Sequence, residues 1–215
     1  MTHRAHALIA LAALGALSAC AKNGELVIDE GVGITSVLSV CPAVGIPDYT
    51  GDVTTFRGGD QTVAGLDVSA TMTNLRSTCN DQGDKVYTEA DFTVNARRTD
   101  VRGSRTVQLP YFVTVVQAGN AVVSKRVGTV TLSFADGQER ASATAKASSF
   151  VDRAAAALPD DIRQRITKRR RAGDEEAAID PLAEPEVKAA IARTRFEMLV
   201  GFQLTEEQLR YNATR

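Results

Sequence analysis

Between residues 34 and 148 the chain alternates apolar and polar residues in short runs, with turn-forming residues between them. A period of two sends successive side chains to opposite faces of an extended strand, so a segment patterned this way buries one side. Leu66, Val68, Ala70 and Met72 share one face, while Asp67, Ser69, Thr71 and Thr73 take the other. Phe92, Val94 and Ala96 alternate with Thr93, Asn95 and Arg97, and Val130, Leu132 and Phe134 with Thr129, Thr131 and Ser133. Further strands are expected at 34–41, closed by Pro42, at 53–56 and at 121–127. The alanines of 140–148 also fit a helical stripe, but Arg140, Ser142, Thr144, Lys146 and Ser148 recur at period two and argue for a strand. Residues 106–117 are β-branched and aromatic but contain Pro110, which cannot donate to a central ladder, so this strand is expected at an edge or with a bulge. Residues 79–84 read as a turn, and Gly119-Asn120 and Asp136-Gly137 as hairpin turns. Strands this closely spaced, with no helices between them, predict an antiparallel sandwich rather than a parallel α/β sheet.

The last third changes character. Asp160 and Asp161 open a segment in which Ile162 and Ile166 lie four apart, and Lys168-Arg169-Arg170-Arg171 closes it before Gly173. Acid first, base last and glycine just beyond predict a helix over 160–171. Asp180-Pro181 and Glu184-Pro185 interrupt the chain before a second helix at 186–193. Phe196, Met198, Val200, Phe202 and Leu204 then fall on one face of a last strand that returns to the sheet, and Thr205-Glu206-Glu207-Gln208 is a capping box for a terminal helix.

The N-terminus carries an address. Arg4 precedes an apolar run, 7–17, that is too short to cross a bilayer as a permanent helix. Leu17-Ser18-Ala19-Cys20 comes next and resembles the lipobox of bacterial lipoproteins. The resemblance implies a diacylglyceryl group on the Cys20 sulfur, cleavage before Cys20 and acylation of the new N-terminus, several acyl chains making a stable anchor where one is marginal. Ala21 rather than aspartate after Cys20 implies, by the same resemblance, the outer membrane, with the module facing the periplasm. The chain thus divides into a signal peptide (1–19), a tether (20–33), a β-sandwich (34–150), a helical segment (151–194) and a final strand with a terminal helix packed on the sandwich (195–215). The strands are similar to those of small immunoglobulin-like envelope domains, which implies an immunoglobulin-like sandwich with a short helical C-terminal appendage.

The chain beyond Cys20 lacks the residues of common catalytic sites. Both histidines, His3 and His6, lie in the segment to be removed, which excludes Ser-His-Asp and Cys-His catalysis and histidine-ligated zinc in the mature chain. There is no Ser-x-x-Lys motif and no glycine-rich phosphate loop, and neither cofactor nor metal is expected. The formal net charge of −1 and the mixing of both signs argue against a nucleic-acid partner. With Cys20 lipidated, Cys41 and Cys79 remain as an even pair in an oxidising compartment and are expected to bond.

Among candidate sites, Lys168, Arg169, Arg170 and Arg171 could meet lipopolysaccharide phosphates or anionic headgroups, although neutralising a helix end suits them better. Asp81 and Asp84 around Gly83 lack the regular ligand series of a calcium loop and read as turn residues. The pairs Asp160-Asp161, Glu175-Glu176 and Glu206-Glu207 raise the alternative of a carboxylate-dependent cell-wall hydrolase, but adjacent residues do not face one another on a helix. The expectation is a non-catalytic lipoprotein that contacts the bilayer through acylated Cys20 and binds an envelope protein or glycan.

Overall fold

The alternating segments fold into strands of up to fifteen residues, because the polar outward positions continue through stretches that read as turns. The computed structural model describes residues 39–214 apart from 60 and 172. The signal peptide, Cys20, the tether and most of the strand expected at 34–41 lie outside the described residues. In chain order the elements are β1 (Ala43–Gly45), β2 (Asp52–Phe56), β3 (Leu66–Asn80), β4 (Lys85–Arg98), β5 (Arg105–Gln117), β6 (Ala121–Phe134) and β7 (Arg140–Asp152). Helices α1 (Arg153–Ala156), α2 (Asp160–Thr167) and α3 (Pro185–Thr194), then β8 (Phe196–Phe202) and α4 (Glu206–Thr214), complete the fold.

The strands form two four-stranded sheets, ordered β1-β8-β5-β6 and β2-β3-β4-β7. Val68, Ala70, Met72, Phe92 and Val94 of the second sheet share one buried cluster with Leu109, Val113, Leu132, Phe134, Met198, Val200 and Phe202 of the first. Burying such side chains contributes about 1.5–3 kcal/mol each, which makes this cluster the main stabilising element. The fold is therefore mainly β, with strands pairing antiparallel except for β1 and β8, which run parallel.

Several sequence expectations shift. Ser39, Val40 and Cys41 are not in a strand; β1 starts after Pro42. The turn expected at 79–84 begins later, since β3 runs to Asn80 after a register shift between Thr73 and Arg76 where Asn74 adopts φ 53°. The hairpin between β5 and β6 turns on Ala118 (φ 54°) and Gly119 (φ 78°), one residue earlier than expected, with Asn120 N–H donating to Gln117 O at 3.3 Å. Both central residues are left-handed, as a type I′ turn requires. Asp136-Gly137 does turn the chain, but not within one sheet. It passes the chain from β6 in the first sheet to β7, which pairs with β4 in the second.

Pro110 is a correction with a clear cause. β5 is not an edge strand, since β6 and β8 flank it, and it carries no bulge of its own: the register shift at Val115/Val116 leaves the extra residue, Val123, on β6. Pro110 directs its carbonyl to the β8 side, where it accepts from Gln203 N–H at 2.9 Å just beyond the end of β8. The missing N–H thus falls where the ladder stops.

The helical segment bridges the sheets. Asp152 Oδ1 caps α1 by accepting from Ala154 N–H (2.9 Å) and Ala155 N–H (3.3 Å). Ile162 and Ile166 of α2 bury against Val187 and Ala190 of α3, forming a small core of their own. The capping box forms as expected: Gln208 N–H donates to Thr205 Oγ1 at 3.2 Å and Thr205 N–H to Gln208 Oε1 at 2.9 Å.

Candidate binding edge

A disulfide closes one end of the two sheets. Cys41 and Cys79 are bonded, with Cα atoms 6.1 Å apart. Cys41 leads into β1 of the first sheet and Cys79 lies in β3 of the second, so the bridge ties the sheets together. Val40 and Cys41 pack there on Val86, Val115, Val151 and Phe196.

An arginine closes the other end. Arg98 is the last residue of β4, fully buried, and its inward position continues the series Phe92, Val94, Ala96. Its Nε donates to Gln138 O at 2.8 Å, and its Nη2 lies within hydrogen-bond distance of Val101 O (2.8 Å), Gly103 O (2.9 Å) and Ala135 O (2.8 Å). The guanidinium lies 5.2 Å from the Phe134 ring centroid. One side chain therefore holds together two of the segments by which the chain changes sheet, 99–104 and 135–139. Sequence reading missed it, although a charged residue in phase with an apolar series was the available signal.

The expected ionic sites are mostly accounted for within the fold. α2 ends at Thr167 rather than at 171, and Arg170 folds back, only 6 % exposed, with Nη2 donating to Arg165 O at 3.4 Å. That burial removes Arg170 from the proposed anionic-surface contact and gives it the helix-end role; Lys168, Arg169 and Arg171 stay exposed. Asp160 pairs with Arg163 in the first turn of α2, and Glu206-Glu207 opens α4. A cleft of about 480 Å³ beside α4 is lined by Gly59, Gln61, Glu207, Arg210, Tyr211 and Thr214, and Gln61 Nε2 donates across it to Glu207 Oε1 at 2.9 Å. On the outer face of the second sheet, Lys146 Nζ and Tyr87 Oη both donate to Glu89 at 2.8 Å, holding that carboxyl below its ordinary range. Among the described residues no cluster of three histidine, cysteine, aspartate or glutamate side chains could hold a metal ion.

The sheet edges are treated very differently, and the difference identifies a candidate site. An edge strand offers unpaired N–H and C=O groups to any further strand, so folded proteins shorten, cover or cap their edges. β1 is short, three residues. β2 is covered by α4: Asn212 Nδ2 donates to Tyr49 O and Asp52 O, both at 2.8 Å, and Tyr211 packs edge-to-face on Phe56 with centroids 5.2 Å apart. β7 is capped at one carbonyl by Tyr111, whose hydroxyl reaches across Gly128 and donates to Lys146 O at 2.8 Å.

Among the described residues β6 is neither short nor covered; its edge carries only a bulge at Val123 and the consecutive cations Lys125 and Arg126, which disfavour pairing with a like-charged strand. Its first half, 121–127, is exposed at every position, with Val122, Val123 and Val127 at 63 %, 51 % and 60 %. Lys125 Nζ stands 5.7 Å from the Phe112 ring centroid on one face of the strand, and Arg126 projects from the other. Residues 105–134, the whole β5–β6 hairpin, contain no aspartate or glutamate. Sequence reading places a strand at 121–127 but not its edge; the adjacent valines Val122-Val123, which break period-two alternation where the bulge falls, are the legible sign.

No helix among the described residues is long and apolar enough to cross a membrane. No protein-family model matches the chain, and no curated protein and no solved structure matches it.

Proposed function

We propose that this chain is a lipid-anchored protein of the bacterial envelope whose β module binds another envelope component and performs no chemistry of its own. The anchor is Cys20, acylated after cleavage of 1–19, in the outer membrane with the module toward the periplasm. The lipobox-like Leu17-Ser18-Ala19-Cys20 supports that anchor, and the Cys41–Cys79 disulfide suits an oxidising compartment. Two four-stranded sheets around one core support the finer reading of an immunoglobulin-like sandwich, with the parallel β1–β8 pair as its departure from an all-antiparallel pattern.

The observation that carries the binding role is the edge of β6, where, among the described residues, no further strand pairs with backbone groups that sit among three exposed valines. The anchor is tested by labelled palmitate: wild type incorporates it, and Cys20→Ser loses both label and membrane association. Retention of either by Cys20→Ser refutes the anchor. The binding role is tested in cells with a photo-crosslinking residue at Val123 and, as a control, at Ser142 on the outer face of the second sheet. A discrete adduct from 123 and none from 142 is expected; the reverse pattern refutes the role of the edge.

A further inference from the structure

We infer that the open edge of β6 receives an extended segment of a partner polypeptide as an added strand, and that this segment carries two consecutive acidic residues bracketed by β-branched aliphatic ones. The inference rests on the reading of the edge as a binding site, and adds the chemistry of what binds.

The backbone sets the mode. Alternate residues of an edge strand direct both N–H and C=O away from the sheet, and an added strand satisfies them in register. Residues 124–127 run in regular register and carry both cations, and beyond the bulge at Val123 the strand continues through Val122 and Ala121, so a short segment can pair at roughly 3.3 Å per residue along 124–127 and extend over the bulge. The side chains then set specificity. In an added strand, the residue directly opposite an edge residue shares its face. Lys125 and Arg126 are consecutive and therefore on opposite faces, so two consecutive acids in the partner would meet one cation each. Val122, Val123 and Val127 flank the cations on both sides and offer apolar neighbours to aliphatic residues.

Charge also decides against a second copy of the chain as the occupant. Two β6 edges paired about the regular run 124–127 would bring Lys125 and Arg126 of each copy together, with no acid anywhere in 105–134 to offset them. Opposed like charges are destabilising across strands, whereas an acidic segment is drawn in.

The test uses the disulfide-bonded mature module and a fluorescein-labelled peptide, Thr-Val-Glu-Glu-Thr-Val-Val-Thr, at low salt, read by fluorescence anisotropy. The expected result is binding about tenfold tighter than for the same peptide with Lys-Lys in place of Glu-Glu. That preference should narrow as salt rises and invert for the double variant Lys125→Glu/Arg126→Glu. Methylating alternate peptide amides should abolish binding, because it removes the pairing donors. Equal, methylation-sensitive binding of both peptides would overturn the acidic chemistry while leaving the edge as a binding site. No binding of either, or binding indifferent to methylation, would overturn both. A concentration-dependent dimer in sedimentation without peptide, abolished by Val123→Lys, would overturn the inference in favour of a second copy.

Discussion

Arg98 offers the sharpest test of how the two sheets are held together. It is fully buried, and carbonyls from 101, 103, 135 and 138 surround its guanidinium. Arg98→Met keeps much of the aliphatic volume but deletes every donor, leaving these carbonyls to find other partners. Hydrogen bonds to a charged group contribute about 1.5–3 kcal/mol each, and water entering the two loops recovers part of the loss. A buried acceptor left without its donor costs about 1–3 kcal/mol, so the four carbonyls, partly satisfied by that water, give an expected loss of about 3–5 kcal/mol. At about 2–4 °C per kcal/mol for a module of this size, Tm should fall by roughly 10 °C. Arg98→Lys places one ammonium where the planar fork reached both loops, and should lose about 2 kcal/mol. Urea unfolding followed by far-ultraviolet circular dichroism, with the disulfide intact, measures both. If Arg98→Met costs less than about 1 kcal/mol, the clamp is not what joins the loops, and the carbonyls are satisfied in another way.

Reducing the Cys41–Cys79 bond frees a loop spanning 38 residues and should cost about 4 kcal/mol in the chain-entropy model, read as a fall in the urea midpoint with reductant. Gly128→Ala drives a methyl into the Tyr111 ring and should cost about 1–3 kcal/mol, with Tyr111→Phe, which keeps the ring, costing about 1 kcal/mol. Arg105 holds the Asp67 carboxyl below its ordinary value of 3.8 through a two-pronged hydrogen bond at 2.6 and 2.7 Å. The pair's contribution is therefore complete above that value and lost as pH falls through the lowered one. Asp67→Asn should flatten the acid limb of the stability–pH curve, and an unchanged acid limb would count against the pair.

Much of this architecture could be read from periodicity, and the failures have identifiable causes. The buried faces of β3 and β4 were legible because Leu66 to Met72 and Phe92 to Ala96 alternate without interruption. Their true lengths were not, because the outward residues Thr78, Asn80 and Asp91 are the same types that mark turns. Asp136-Gly137 was recognised as a turn, but a local signal cannot say whether the next strand pairs with its predecessor or crosses to the other sheet. Pro110 looked like an edge signal because a sequence does not show where a neighbouring strand stops. The helix stops at Thr167 and not at 171 because a basic run is as compatible with a folded-back arginine as with a continuing helix. The disulfide followed from cysteine count, whereas the open edge of β6 needed the other edges beside it before it stood out.

The position of β8 bears on how such a chain is made. The strand that joins β1 to β5 is residues 196–202, synthesised after all seven other strands. Until they emerge, the first sheet is in two pieces, and Met198, Val200 and Phe202 are missing from the shared interior. A nascent chain that cannot complete its own centre stays pliable, so the shared interior closes only once the segment that arrives after helices α1 to α3 has been made.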